Sequence, residues 1–127
     1  MERQIYFSEK PNPLEWGKKR IVPLNVKTEE TVENGQRKVG YRADIVRKVE
    51  LPITVDSIVD AAIAEEFDGA AMKRIMRNLA KTDNEEVQRY KNFVEEVTSA
   101  AKAAGYEYRV KQFPSAVRII PMQRNGT

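Results

Sequence analysis

The sequence predicts an α+β fold, with one or more antiparallel β-hairpins packed with about three helices and preceded by an extended N-terminal arm. Two observations carry this. Residues 20–50 hold two strand-like runs around Asn34-Gly35, and after Pro52 the hydrophobic period changes from two to about 3.6. The first stretch, Ile5-Tyr6-Phe7 followed by Ser8-Glu9-Lys10-Pro11-Asn12-Pro13, reads as an extended piece entering a linker that its prolines keep out of a helix.

Asn34-Gly35 suits a two-residue type I′ turn. Centring the hairpin there sets Leu24 opposite Ile45, Val26 opposite Ala43 and Thr28 opposite Tyr41 on an apolar face. The other face pairs Asn25 with Asp44, Lys27 with Arg42 and Glu29 with Gly40. Thr54 is placed to cap a first helix whose apolar positions are Val55, Ile58, Val59, Ala62, Ile63 and Phe67. Asp68-Gly69 interrupts it. A second, shorter helix carries Met72, Ile75, Met76 and Leu79, with Lys73, Arg74, Arg77 and Lys81 on its wet side. Thr82-Asp83-Asn84-Glu85 has the spacing of a capping box that opens a third helix. Its stripe is Val87, Tyr90, Val94, Val97 and Ala101, widened by Phe93, Ala100 and Ala104, and Gly105 stands where the helix should stop. Alternation returns over residues 106–111, and residues 117–120 could add another strand. The domain division read from this pattern is an arm over 1–19, an α+β domain over 20–121 and a polar end over 122–127.

With 127 residues, 41% of them hydrophobic and 32% charged, the chain can bury a core. It has no cysteine and no histidine, which excludes disulfides, Cys/His zinc sites, thiol nucleophiles and imidazole acid–base chemistry. The glutamate doublets 65–66, 85–86 and 95–96 lie on expected helices, where adjacent side chains diverge by about 100° and make poor ligand pairs. A solvated helix face accounts for them. No phosphate-binding glycine loop or nucleophile-elbow motif occurs. The expectation is therefore a protein that is not an enzyme, without catalytic, metal or cofactor residues.

No apolar run reaches the roughly 20 residues of a membrane span, and the polar start Met1-Glu2-Arg3-Gln4 is unlike a signal peptide. The expected location is the host cytoplasm during assembly, and the virion. Charge is unevenly spread. Residues 1–50 hold 11 Lys/Arg against 8 Asp/Glu, residues 51–104 hold 7 against 10, and residues 105–127 hold 4 against 1. An acidic middle between basic ends suits attraction between copies or to an acidic partner; a mixed, soluble surface is the plainer alternative.

Two sets of contact residues stand out. Ile5, Tyr6, Phe7 and Trp16 are aromatic or apolar anchors near the N-terminus, beside the basic run Lys18-Lys19-Arg20. Alternatively, the two helices around Asp68-Gly69 form a helix-turn-helix that presents Lys73, Arg74, Arg77 and Lys81 to DNA. The acidic flanking helices oppose that reading.

The W-G-K-K-R run at 16–20, the polar hairpin, Thr54, Asp56, Ile58, Ala62 and Ile63 of the first helix, and Glu86, Tyr90 and Phe93 of the third make a recognisable layout. Over residues 16–104 it resembles small uncharacterised proteins encoded among the structural and tail genes of bacteriophages and prophages. The resemblance implies a virion-associated or tail-assembly role through protein–protein contacts, with other phage structural proteins or copies of itself as partners. A small DNA-binding regulator is the alternative.

Overall fold

Strand propensity and the turn at Asn34-Gly35 build the centre of the molecule. In a computed structural model describing residues 1–108, β1 (Glu2–Phe7) is followed by a helical turn, α1 (Pro13–Trp16), and a 3-10 turn over Gly17–Lys19. The hairpin strands β2 (Val22–Glu33) and β3 (Gln36–Val46) come next, then the helices α2 (Val55–Glu66), α3 (Gly69–Arg77) and α4 (Glu85–Ala103). The sheet is antiparallel with order β1-β3-β2. The class is α+β, as the pattern predicts.

Asn34 and Gly35 have φ of 52° and 75°, the left-handed pair a type I′ turn requires. From Glu33↔Gln36 to Lys27↔Arg42 the expected register holds. Beyond Lys27 it does not. A bulge at Asn25-Val26 shifts the pairing, so Leu24 opposes Asp44 and Pro23 opposes Ile45. The expected partners Leu24–Ile45, Val26–Ala43 and Asn25–Asp44 are each displaced. A second bulge lies across β3, where β1 shifts between Glu2 and Ile5. Both bulges contain a residue with positive φ, Asn25 at 54° and Gln4 at 57°.

Asp44 is the cause common to the two. It is only 3% exposed, not on a polar outer face. Its carboxylate accepts hydrogen bonds from the Gln4 backbone N–H at 3.1 Å and from Asn25 Nδ2 at 3.0 Å, and Arg3 approaches it at 3.7 Å. A buried carboxylate must be supplied with donors. The two bulges turn donors inward from both flanking strands. Asn25 thus does meet Asp44, by side chain rather than by backbone pairing.

The N-terminal arm is extended over Glu2–Phe7, and those residues are zipped to β3 as an edge strand. Charges fasten it further. The Met1 amino group meets Glu65 at 3.2 Å, Arg47 donates to Glu2 at 2.5 Å, and Arg3 makes a two-pronged contact with Glu96 at 2.6 and 3.2 Å. Glu96, opposed by burial, holds the Arg3 guanidinium above its ordinary pKa. The linker also departs from expectation. Pro13 opens a helical turn as its first residue, where a proline lacks only an N–H that has no helical partner, and Asn12 caps it.

Val22, Leu24 and Val46 turn one sheet face toward α2 and α4. With Val55, Ile58, Ala62, Phe67, Val87, Phe93, Val97 and Ala101 they form the core. Phe67 makes edge contacts with Tyr90 and Phe93, each at 5.7 Å between ring centres. Thr54 caps α2 and exchanges hydrogen bonds with Ser57. Asp68, expected as an interruption, is itself the cap of α3. For α4 the cap is Asn84, accepting from the Val87 N–H at 3.0 Å, instead of Thr82. Gly105, at φ 101°, ends that helix as expected.

Tyr106 and Tyr108 do not lie in a strand. Instead the carbonyls of Glu107 and Tyr108 accept from the Val55 and Asp56 N–H groups at the start of α2. The Tyr106 hydroxyl donates to the Pro13 carbonyl at 2.6 Å, and its end lies where a Cβ at Gly17 would be. The anticipated second hairpin reaches into residues 109–121, outside the described residues.

Candidate interaction surface

β1 ends at Phe7, opposite Tyr41. The five residues of β3 from Gln36 to Gly40 therefore have β2 on one side and, among the described residues, no strand on the other. At about 3.4 Å per residue the hairpin projects some 17 Å past the end of β1. Residues 31–39 are exposed throughout.

Side-chain alternation places Thr28, Glu30 and Val32 on the same face as Tyr41, Val39 and Arg37. That face continues down to Ala43 and Ile45, which are buried and, by alternation, lie on the side of the sheet opposite Val46. It thus grades from buried Ala43 through half-buried Tyr41 to Val39 at 46% and Val32 at 74% exposure. Phe7 flanks Tyr41, and Trp16 packs edge-on against Phe7 with ring centres 5.6 Å apart. An apolar strip climbs from buried Ala43 and Ile45 onto the ribbon.

The ribbon is held together by charges on opposite strands. Arg37 meets Glu30 at 3.5 Å, Lys38 meets Glu33 at 2.8 Å and Arg42 meets Glu29 at 3.2 Å. In every pair β2 supplies the acid and β3 the base. The ribbon consequently has one acidic strand and one basic strand.

The anticipated anchors divide. Ile5 and Phe7 are half-buried in β1, while Tyr6 is half-exposed on the other face, lying over Gly40 and under the Arg42 guanidinium at 5.2 Å. Trp16 is half-buried and is covered by the Lys19 ammonium at 5.2 Å. Lys18 is exposed. Arg20 is tied inward: its Nε donates to the Val49 carbonyl at 2.8 Å, and its own carbonyl accepts from the Val49 N–H. Lys19 and Arg20 border a shallow groove with Ile21, Arg47, Lys48 and Glu50. Ile5, Phe7, Trp16 and Lys19 are thus brought to the foot of the ribbon, with Arg20 engaged in holding the linker to the end of the hairpin.

The four cations of the alternative site share α3 and the turn after it. Lys73, Arg77 and Lys81 are exposed, whereas Arg74 makes a two-pronged contact with Glu86 at 3.2 and 3.0 Å. That contact holds the Glu86 carboxyl below its ordinary pKa and raises that of Arg74. A groove lined by Arg3, Glu66, Glu85, Arg89 and Glu96 also has its bases committed, Arg3 to Glu96 and Arg89 to Glu66 at 2.8 Å. Among the described residues no three acidic side chains converge as metal ligands, and no helix is long and apolar enough to cross a membrane.

Sequence reasoning missed Val32, Val39 and the open edges of the ribbon. The signal was present: runs of 12 and 11 residues are twice the usual strand length, and a six-residue β1 cannot cover them. No family model matches this chain, and no curated protein or solved structure matches it either.

Proposed function

We propose that the chain is a non-enzymatic assembly protein, a structural or tail-associated component of a bacteriophage particle that works through protein–protein contacts. The observation that carries the contact role is the projecting ribbon, with its exposed Val32–Val39 strip and edges that no strand among the described residues pairs. Soluble proteins usually shorten, cover or charge such edges because they invite strand addition. Here the ribbon is long and left uncovered by the described residues, and its charges are segregated by strand. Half-buried Trp16 and Phe7 at its foot add the aromatic surface that contact sites favour. The phage assignment rests on the layout of residues 16–104 described above.

Arg74 is engaged by Glu86 of α4, and the cap residue Asp68 is a second carboxylate acting on it. A phosphate backbone would meet those acids as well as the bases, which favours the assembly reading over the DNA-binding regulator.

The test is quantitative mass spectrometry of purified particles and assembly intermediates, together with deletion of the gene. Recovery of the chain in several copies per particle or intermediate, with incomplete particles after deletion, is the expected result. Absence from both, with normal particles after deletion, overturns it. Retention of duplex DNA with a steep salt dependence would turn the assignment to the regulator.

A further inference from the structure

We infer that the ribbon pairs edge to edge with a second copy of this chain, the outer edge of β2 from one copy entering the slot beside β3 of the next. This inference rests on the assembly reading above.

Hairpin geometry identifies the backbone groups available. In a two-residue hairpin the residues flanking the turn, Glu33 and Gln36, exchange both their hydrogen bonds, and the pattern alternates from there. Thr31 and Lys38 then face inward, as do Glu29 and Gly40. The backbone groups of Thr28, Glu30 and Val32 point outward from β2, and those of Arg37 and Val39 point outward from β3. The β3 slot spans Gln36–Gly40 and is closed below by Phe7, the last residue of β1. A neighbouring strand of about five residues fits it, and Thr28–Val32 has that length.

Charge selects the partner. A two-fold arrangement that joined β2 to β2 would lay the acidic segment carrying Glu29, Glu30 and Glu33 beside the same segment of the other copy. Joining β3 to β3 would bring Arg37 and Lys38 of one copy close to the same two cations of the other. Like charges on adjoining strands are destabilising and opposite ones stabilising. Only the unlike pairing, β2 to β3, lays the acidic strand beside the basic one. It also runs the Val32–Val39–Tyr41 strip of one copy into that of the next. Because its two surfaces differ, this contact does not end at a dimer but continues into a ring or filament.

The experiment is sedimentation and light scattering of the full chain over concentration, at low and high salt, with charge-exchanged ribbons. Glu30→Lys/Glu33→Lys makes both strands basic, and Arg37→Glu/Lys38→Glu makes both acidic. All four changes together invert each intrachain pair and preserve it. The expected result is a wild type that grows beyond a dimer at low salt and dissociates at high salt. Each half-exchanged variant should need about tenfold more protein or greater to associate, their equimolar mixture should recover association, and the fourfold variant should associate alone. Val39→Pro, which removes an outward N–H the hairpin does not use, should also block growth. Growth that stops at a dimer, or half-exchanged variants that associate like wild type, overturns the inference. A wild type that stays monomeric overturns it too, while the particle measurement above still decides the assembly reading.

Discussion

Replacing Asp44 tests whether one buried carboxylate sets the shape of the whole sheet. Asp44 accepts two close hydrogen bonds, from the Gln4 N–H and from Asn25 Nδ2, with Arg3 at 3.7 Å. A hydrogen bond to a charged group contributes about 1.5–3 kcal/mol, and a donor stranded by its loss adds desolvation. In Asp44→Asn, one side-chain oxygen still accepts while the new amide faces the second donor. The expected loss is about 2 kcal/mol, or a fall of about 8 °C in melting temperature for a domain of this size. Asp44→Ala strands both donors and should cost about 4 kcal/mol, with relief of the buried charge already offsetting part of it. Asn25, at φ 54°, divides the backbone contribution from the side-chain one. Asn25→Ala should be about 1 kcal/mol worse than Asn25→Gly, because both lose the bond and only alanine resists the left-handed backbone. Urea unfolding followed through Trp16 fluorescence measures all four variants. Were Asp44→Asn to cost under about 0.5 kcal/mol, or Asp44→Ala no more than Asp44→Asn, the carboxylate would not be what organises the bulges.

Three further outcomes follow from single contacts. Tyr106→Phe removes the bond to Pro13 and should lower stability by about 1 kcal/mol in the same urea assay. Burial raises the Tyr106 pKa, so its contribution is complete below the ordinary tyrosine value of about 10 and is lost as pH climbs from there through the raised one; alkaline melts should show the wild type converging on Tyr106→Phe. Glu86 behaves in the opposite sense. Its hydrogen bond with Arg74 lowers its pKa, so the stabilisation is present above the usual glutamate value of about 4.3 and disappears as pH falls through the lowered one; the melting difference between wild type and Glu86→Gln should close over that acid range. Thr54→Ala, which deletes the α2 cap, should cost about 1 kcal/mol by chemical denaturation.

Elements governed by neighbours in sequence were legible. Asn34-Gly35 specifies its turn through left-handed backbone angles, and Thr54 caps α2 through an oxygen within reach of Ser57 N. Elements governed by distant partners were not. Nothing near Glu2–Phe7 announces that its strand partner lies some 40 residues on, and alternation alone does not reveal a bulge whose cause is a carboxylate needing donors. Thr82 and Asn84 both have capping side chains, and chain geometry chooses Asn84. Met76 and Leu79 fit an apolar stripe, yet α3 ends at Arg77 and leaves both substantially exposed. The contact surface was half visible. Phe7 and Trp16 could be chosen by residue type, whereas Val32 and Val39 gain their meaning from how little of the ribbon the other elements cover. Removing residues 1–17 to test an arm would also strip β1 from buried Ala43 and Ile45, so substitutions on the ribbon are the cleaner probe.

The most direct measurement of the central claim is residue-resolved amide exchange of the wild-type chain at rising concentration, with molar mass recorded on the same samples. Association through the ribbon predicts that the amides of Arg37 and Val39, and two of the three outward amides Thr28, Glu30 and Val32, become protected as the mass grows. Those of Thr31 and Lys38, already bonded within the hairpin, should be protected at every concentration. A growing mass with no added protection at these outward amides, or a mass that does not grow, would contradict the claim.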